Sequence, residues 1–285
     1  MPNDRDDALT SRLEEVPGVA ESVASITTLI GPADPPPFRV VNPGGSAPLL
    51  IVCDHASNLI PPVLNGLGVS DHDLRRHIGY DIGAADLTEK LARRLDAPAV
   101  LAGYSRLLID CNRQPGDPQS ILDVSDGTLI PGNVGLDEAE RVARTETFHW
   151  PYHHGIETVL AHLRRRGPEP VFFSVHTFTP SLGGRDRFWD IGVLWNRDPR
   201  IAVPLVDLLR QHGDLKVGDN EPYSGKDIAY TVNLHAGAVG LPNAAVEVRQ
   251  DHCETPDACE RWAKILGDAM EQILAMDHLH ALGEF

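Results

Sequence analysis

Apolar positions along the chain fall into two kinds of run, short unbroken ones and longer ones of helical period, and the two kinds alternate. The run 49-LLIVC-53 reads as a buried strand that stops at Asp54 and His55, and Pro61 and Pro62 then forbid any regular element. In 83-GAADLTEKLARRLD-96 the residues Ala84, Leu87, Leu91 and Leu95 recur at helical spacing, and 97-APAVLAGYSRLLIDCNR-113 then predicts one or two strands ending in polar residues. An irregular stretch over 114–133 is expected to wall a cleft, and 136–166 predicts a long helical region interrupted around Trp150 and Pro151. The apolar run 171-VFFSVH-176 ends in a second histidine before the Gly-rich turn 177-TFTPSLGGRDR-187, and further strands are predicted at 190–195 and 243–251. Helices are predicted at 201–213, kinked at Pro204, and at 256–276, where Trp262, Ile265, Leu266, Ala269 and Ile273 form an apolar stripe. This alternation predicts an α/β fold, a single domain with a mostly parallel or mixed sheet covered by helices on both faces. An irregular, acidic and Pro-rich segment over 1–44 is expected to precede a domain over 45–285.

Composition narrows the function classes. The chain of 285 residues carries 25 Lys and Arg against 41 Asp and Glu, a formal charge of −16, which repels nucleic acid and anionic membrane. No segment reaches the roughly 20 apolar residues that a bilayer crossing needs. The four cysteines, at 53, 111, 253 and 259, lack a CxxC and suit reduced thiols, and the acidic N-terminus lacks the order of a secretory signal, so a cytoplasmic location is the expectation. A small anionic substrate remains compatible with this charge if arginines line its pocket. The stretch 131-PGNVG-135 lacks a phosphate cradle with its lysine, and no GxSxG elbow occurs, which argues against nucleotide and serine-hydrolase chemistry.

Candidate chemistry sits where apolar runs end. His55 and His176 each close such a run, and strand ends are where loops converge on a ligand crevice, so the two imidazoles are candidate ligands to one zinc ion. In 245-AVEVRQD-251 alternation puts Ala245, Glu247 and Arg249 on one face, giving Glu247 as a candidate general base and acid, or alternatively a member of an ion-pair network with Arg249 or Asp251. Asn112 and Arg113 emerge directly after Leu107 to Ile109 and suit carboxylate or oxyanion recognition, while Arg106 and Asp110 read as a local pair. Tyr223 in a Pro-Gly turn, His235, and Arg185 and Arg187 after His176 are further candidates for the same cleft, and His153 and His154 sit in an aromatic-rich helix.

The segments CDHASNLIP at 53–61, GYDIGA at 79–84, SRLLIDCNR at 105–113, PGN at 131–133, PYH at 151–153, HTFTP at 176–180, WDIGVLWNRD at 189–198, NEPYSG at 220–225 and AVEVRQD at 245–251 together resemble the N-formylglutamate amidohydrolase family. The resemblance spans about residues 45–275 and implies a fold similar to the zinc carboxypeptidases and hydrolysis of N-formyl-L-glutamate to formate and L-glutamate. It implies His55 and His176 as zinc ligands, Asn112 and Arg113 as the carboxylate-recognition pair, and Glu247 as general base. The carboxypeptidase pattern has a glutamate three residues after the first histidine, where this chain has Asn58; Asp54 and Asp81 are the alternative third ligands, and the choice stays open. Related metalloamidases with another acyl group, and a non-catalytic binder of acidic metabolites, are the competing expectations. Oligomeric state is not legible.

Overall fold

The computed structural model describes residues 29–285, so positions 1–28 of the expected N-terminal segment lie outside the described residues. Seven strands form one sheet: β1 (Phe38–Val41), β2 (Leu49–Cys53), β3 (Ala99–Ala102), β4 (Val171–Phe178), β5 (Ile191–Leu194), β6 (Val217–Asp219) and β7 (Asn243–Arg249). Their order across the sheet is β1-β3-β2-β4-β7-β5-β6. The central four, β3-β2-β4-β7, run parallel, whereas β1 pairs antiparallel with β3 and β5 antiparallel with β7, so the sheet is mixed. β2 and β4 are buried along their whole length, which is why they read as unbroken apolar runs instead of alternating ones.

Helices α1 (Ala84–Arg94), α2 (Trp150–Arg166), α3 (Pro199–Arg210), α4 (Tyr230–His235) and α5 (Pro256–Leu274) cover the two faces. Leu49, Ile51, Phe173, Val175, Val246 and Val248 pack against α1, α3 and α5. Leu50, Val52, Phe172 and Ala245 pack against α2 and α4. Each large side chain withdrawn from water in this way contributes roughly 1.5–3 kcal/mol, so the two cores fix which strand faces which helix. Among the described residues, no helix is long and apolar enough to cross a membrane.

Several expectations are corrected. Phe38–Val41, inside the stretch expected to be irregular, is the edge strand β1, held by its register with β3, so the sheet begins before residue 45. Only Ala99–Ala102 of the 97–113 run is a strand; Leu107, Leu108 and Ile109 are buried in a satellite cluster with Leu67, Ile130 and Phe148, packed beneath turns instead of paired in the sheet. The 114–133 stretch contains a small hairpin, Val124–Ser125 with Thr128–Leu129. The interruption near Trp150 is a π-turn over Thr145–His149, in which the Trp150 N–H bonds to the Thr145 carbonyl, and helix resumes with Pro151 in its first turn. Helix α3 begins at Pro199, two residues before the expected 201, and has Pro204 inside it.

Candidate active site

Because β2, β3, β4 and β7 are parallel, their carboxyl ends share one edge of the sheet, where a crevice opens. β2 runs into Asp54 and His55, β4 carries His176 near its end, and Glu247 of β7 lies in register beside His176. The loop after β3 supplies Arg106, Asp110, Asn112 and Arg113, and the turn before α1 supplies Asp81, whose N–H donates to the His55 carbonyl at 3.0 Å. Gly83, at the N-cap of α1 with φ 82°, closes that turn, and a Cβ there would run into the Cys253 carbonyl, so this approach requires glycine.

His55 and His176 point Nδ1 at the same carboxylate oxygen, Asp81 Oδ2, at 3.3 and 2.8 Å. These three buried donor atoms lie within 4.8 Å of one another. The far side of each ring is held by a second carboxylate: His55 Nε2 meets Asp110 Oδ1 at 2.7 Å, and His176 Nε2 meets Asp54 Oδ2 at 3.0 Å. Asp54 in turn accepts from the Tyr152 hydroxyl at 2.9 Å and the Thr231 hydroxyl at 2.7 Å. Two imidazoles and one carboxylate, each imidazole oriented from behind by an acid, fit the donor chemistry and the ligand number of a catalytic zinc site.

The electrostatics follow from burial and proximity. Burial pushes Asp54 up, but hydrogen bonding and charge from His176 outweigh it and hold the carboxyl at about 2. Asp81 and Asp110 are likewise held down despite burial, by His55 and His176 in one case and by Arg106 and His55 in the other. Glu247, only 7% exposed, goes the other way: burial raises it to about 7, against the opposing pull of His176 and with Asp81 adding to the rise. It takes no part in the alternative ion-pair network, because Arg249 pairs with Asp251 at 2.8 Å and Asp190 at 3.3 Å.

The crevice, about 140 Å³, is lined by Asn112, Arg113, Tyr223 and Glu247 together with the donor set. Asn112 Oδ1 accepts from the Thr231 N–H at 3.1 Å, which fixes its side chain. Arg187 lies over the Tyr223 ring at 4.7 Å, whereas Arg185 is exposed on the hairpin that follows β4. Asn58 donates to the Leu74 carbonyl at 3.2 Å, and Asp54 grips the back of His176, so of the three alternatives Asp81 is the one that shares a centre with both histidines. His235 faces His153 at 2.8 Å between α4 and α2 and does not line the crevice. The 114–133 stretch walls a different depression, of about 750 Å³, between Pro115, Asp117, Glu138 and Trp150, which contains none of the converging donors.

Sequence reasoning missed three contributors. Arg106 donates to Asp110 at 2.6 Å and lies 3.4 Å from Asp81, so the expected local pair also ties together the two acids that flank His55. Tyr152 and Thr231 support Asp54 from separate helices, and only the position of Tyr152 in the PYH segment offered a signal.

A family model described as N-formylglutamate amidohydrolase matches residues 47–253. Among solved structures, a gene product of Agrobacterium tumefaciens is 33% identical, with a TM-score of 0.84 over 87% of this chain and 98% of that one. An N-formylglutamate amidohydrolase from Ralstonia eutropha is 18% identical with a TM-score of 0.67, covering 84% of this chain and 97% of that one, a likeness of fold. A comparison with curated proteins finds no match. With the family model spanning most of the chain and the His55, Asp81 and His176 donor set at the strand ends, the protein is a metal-dependent amidohydrolase and belongs to the N-formylglutamate amidohydrolase family.

Proposed function

We propose that the protein hydrolyses the amide bond of N-formyl-L-glutamate or a closely similar N-acyl amino acid. The observation that carries this reading is Glu247, buried on β7 in register beside His176 of the donor set. His55, Asp81 and His176 would hold zinc, which when bound supplies a Lewis acid that polarises the acyl carbonyl and acidifies water. Glu247 takes the proton of the attacking water as its oxygen bonds to the formyl carbon. The same carboxyl returns that proton to the amide nitrogen as the C–N bond breaks, releasing formate and the amino acid.

Asn112 and Arg113, adjacent on the wall of the crevice, are assigned the substrate α-carboxylate, with the Arg113 guanidinium as the bidentate donor. Tyr223 occupies another part of the wall, with the Arg187 guanidinium over its ring at 4.7 Å. Arg106, neutralised by Asp110 and Asp81, keeps those acids aligned behind the imidazoles. The test is formate release from N-formyl-L-glutamate by chelated protein and by the same protein reconstituted with one equivalent of zinc. Turnover restored by zinc is the expected result; absence of turnover in both samples would reject this substrate.

A further inference from the structure

Asp54, behind the donor set, and Asn112, on the wall of the crevice, come from separate loops, and one buried residue bonds to both. Thr231, fully buried near the start of α4, donates its hydroxyl to Asp54 Oδ1 at 2.7 Å and its backbone N–H to Asn112 Oδ1 at 3.1 Å. The Cys111 carbonyl lies farther from the same hydroxyl, at 3.4 Å, so the single hydroxyl proton goes to the carboxylate. Asp54 passes the contact on, because its other oxygen, Oδ2, meets His176 Nε2 at 3.0 Å. An N–H in the first turn of a helix has no acceptor within that helix, so Thr231 reaches Asn112 without disturbing α4.

The bond to Asn112 also decides which way that amide faces. A backbone N–H only donates, so the atom it meets is the amide oxygen, and the amide nitrogen with its two donors is left on the other side. Among the described residues this nitrogen has no acceptor, and Asn112 lines the crevice beside Arg113. The chain reaches α4 in an uncommon conformation: Ala229, buried at the N-cap, has φ 80° and ψ 50°. A residue with a Cβ seldom adopts the left-handed region, and where one does, its surroundings hold it there, often beside a functional site. Ala229 follows Ile228 on the wall of the crevice, and its carbonyl accepts from the Asn233 N–H at 3.0 Å.

We infer that Thr231 is a positioning residue for both sides of the reaction: its hydroxyl sets Asp54, and through it His176, while its N–H turns the Asn112 amide so that the nitrogen faces the substrate carboxylate. This rests on the amidohydrolase reading above and adds the residue that keeps the metal side and the substrate side in one geometry. Tyr152 is the contrast. Its hydroxyl also reaches Asp54 Oδ1, at 2.9 Å, but it makes no hydrogen bond to Asn112.

The test uses the full chain and three variants: Thr231→Val keeps the shape without the hydroxyl, Thr231→Ser keeps the hydroxyl, and Tyr152→Phe removes the other donor to Asp54. Zinc affinity, measured by competition with a chelator, is expected to fall by about 10-fold in both Thr231→Val and Tyr152→Phe and to recover in Thr231→Ser. At saturating zinc, KM for N-formyl-L-glutamate is expected to rise by about 10-fold in Thr231→Val with little change in kcat, because the N–H drifts from Asn112 once the hydroxyl no longer anchors α4. That rise should be at least about fivefold larger than in Tyr152→Phe, and Thr231→Ser should reverse it. Equal KM rises in Thr231→Val and Tyr152→Phe, or Thr231→Ser as impaired as Thr231→Val, would overturn the assignment, since a general loss of packing gives both. Unchanged zinc affinity in Thr231→Val would overturn it as well. If the wild type does not hydrolyse this compound, the proposed substrate fails, and the zinc titration together with crystal structures of the zinc-loaded proteins decides the positioning role. Weaker zinc binding with the Asn112 amide turned or displaced in Thr231→Val, both restored in Thr231→Ser, would support it; an Asn112 amide left in place would overturn it.

Discussion

Glu247 and Asp110 show how neighbours set the task of a carboxylate. Both are buried, yet Asp110 is pinned between Arg106 and His55 and stays ionised, while Glu247 has no cation bonded to it and rises to about 7. Glu247→Gln keeps the shape and removes the proton acceptor, so kcat is expected to fall by about 10²- to 10⁴-fold while the zinc content is retained. Near-normal formate release from a zinc-loaded variant would remove Glu247 from the chemistry. Asp110→Asn weakens the support of His55 without touching the donor atoms, and outer partners of this kind are worth about 10- to 100-fold in metal affinity. Titration against a chelator of known affinity checks that figure, and a variant that binds zinc as tightly as the wild type would show that Asp110 is dispensable for orienting the ring.

The π-turn before α2 has a consequence at the next scale. It brings His149 and His153 onto one face, ring centroids 4.3 Å apart, where His149 Nε2 meets the Arg113 carbonyl at 3.0 Å and His153 Nε2 the Cys111 carbonyl at 2.9 Å. Since a carbonyl only accepts, both Nε2 atoms carry the proton, and His153 Nδ1 must accept from Nε2–H of His235. A buried helix face thereby braces the loop that presents Asp110, Asn112 and Arg113. Burial, with His149 and His235 alongside, lowers His153 from 6.5 to about 3. Between those values the unfolded chain binds the extra proton, so this contribution to stability is present above pH 6.5 and is lost on acidification toward pH 3, at up to about 1.4 kcal/mol per pH unit. His153→Gln preserves a donor and an acceptor but cannot titrate, so its stability should decline less steeply from pH 6.5 to 4 than that of the wild type. Guanidinium unfolding across that range measures both slopes, and parallel slopes would refute the brace as a neutral imidazole.

At the scale of the whole molecule, zinc would bind across three separate parts of the chain: the end of β2, the turn before α1 and the end of β4. An ion bound only by the folded state stabilises it by about 2.7 kcal/mol when free zinc is 100-fold above its dissociation constant. The unfolding midpoint should therefore rise with zinc concentration and fall on chelation, and that dependence should disappear in Asp81→Ala; a midpoint indifferent to zinc in the wild type would argue against a site joining these elements. Much of the frame was legible in the chain, because buried parallel strands must be unbroken apolar runs and amphipathic helices must repeat at their own period, both local properties. His55, His176 and Glu247 stood out for the same reason, each being polar at or near the end of an apolar run, and the ordered motifs carried the family. The order of the strands, the place of Phe38–Val41 at the sheet edge and the gathering of Asp81, in place of Asn58 or Asp54, with both histidines belong to the tertiary structure. So do the contacts of Asp110 with His55 and of Tyr152 with Asp54. Side-chain direction in a turn is set by where the turn is held, and pairing between residues dozens of positions apart leaves no local period to read; those choices exist only once the parallel strands bring their ends together.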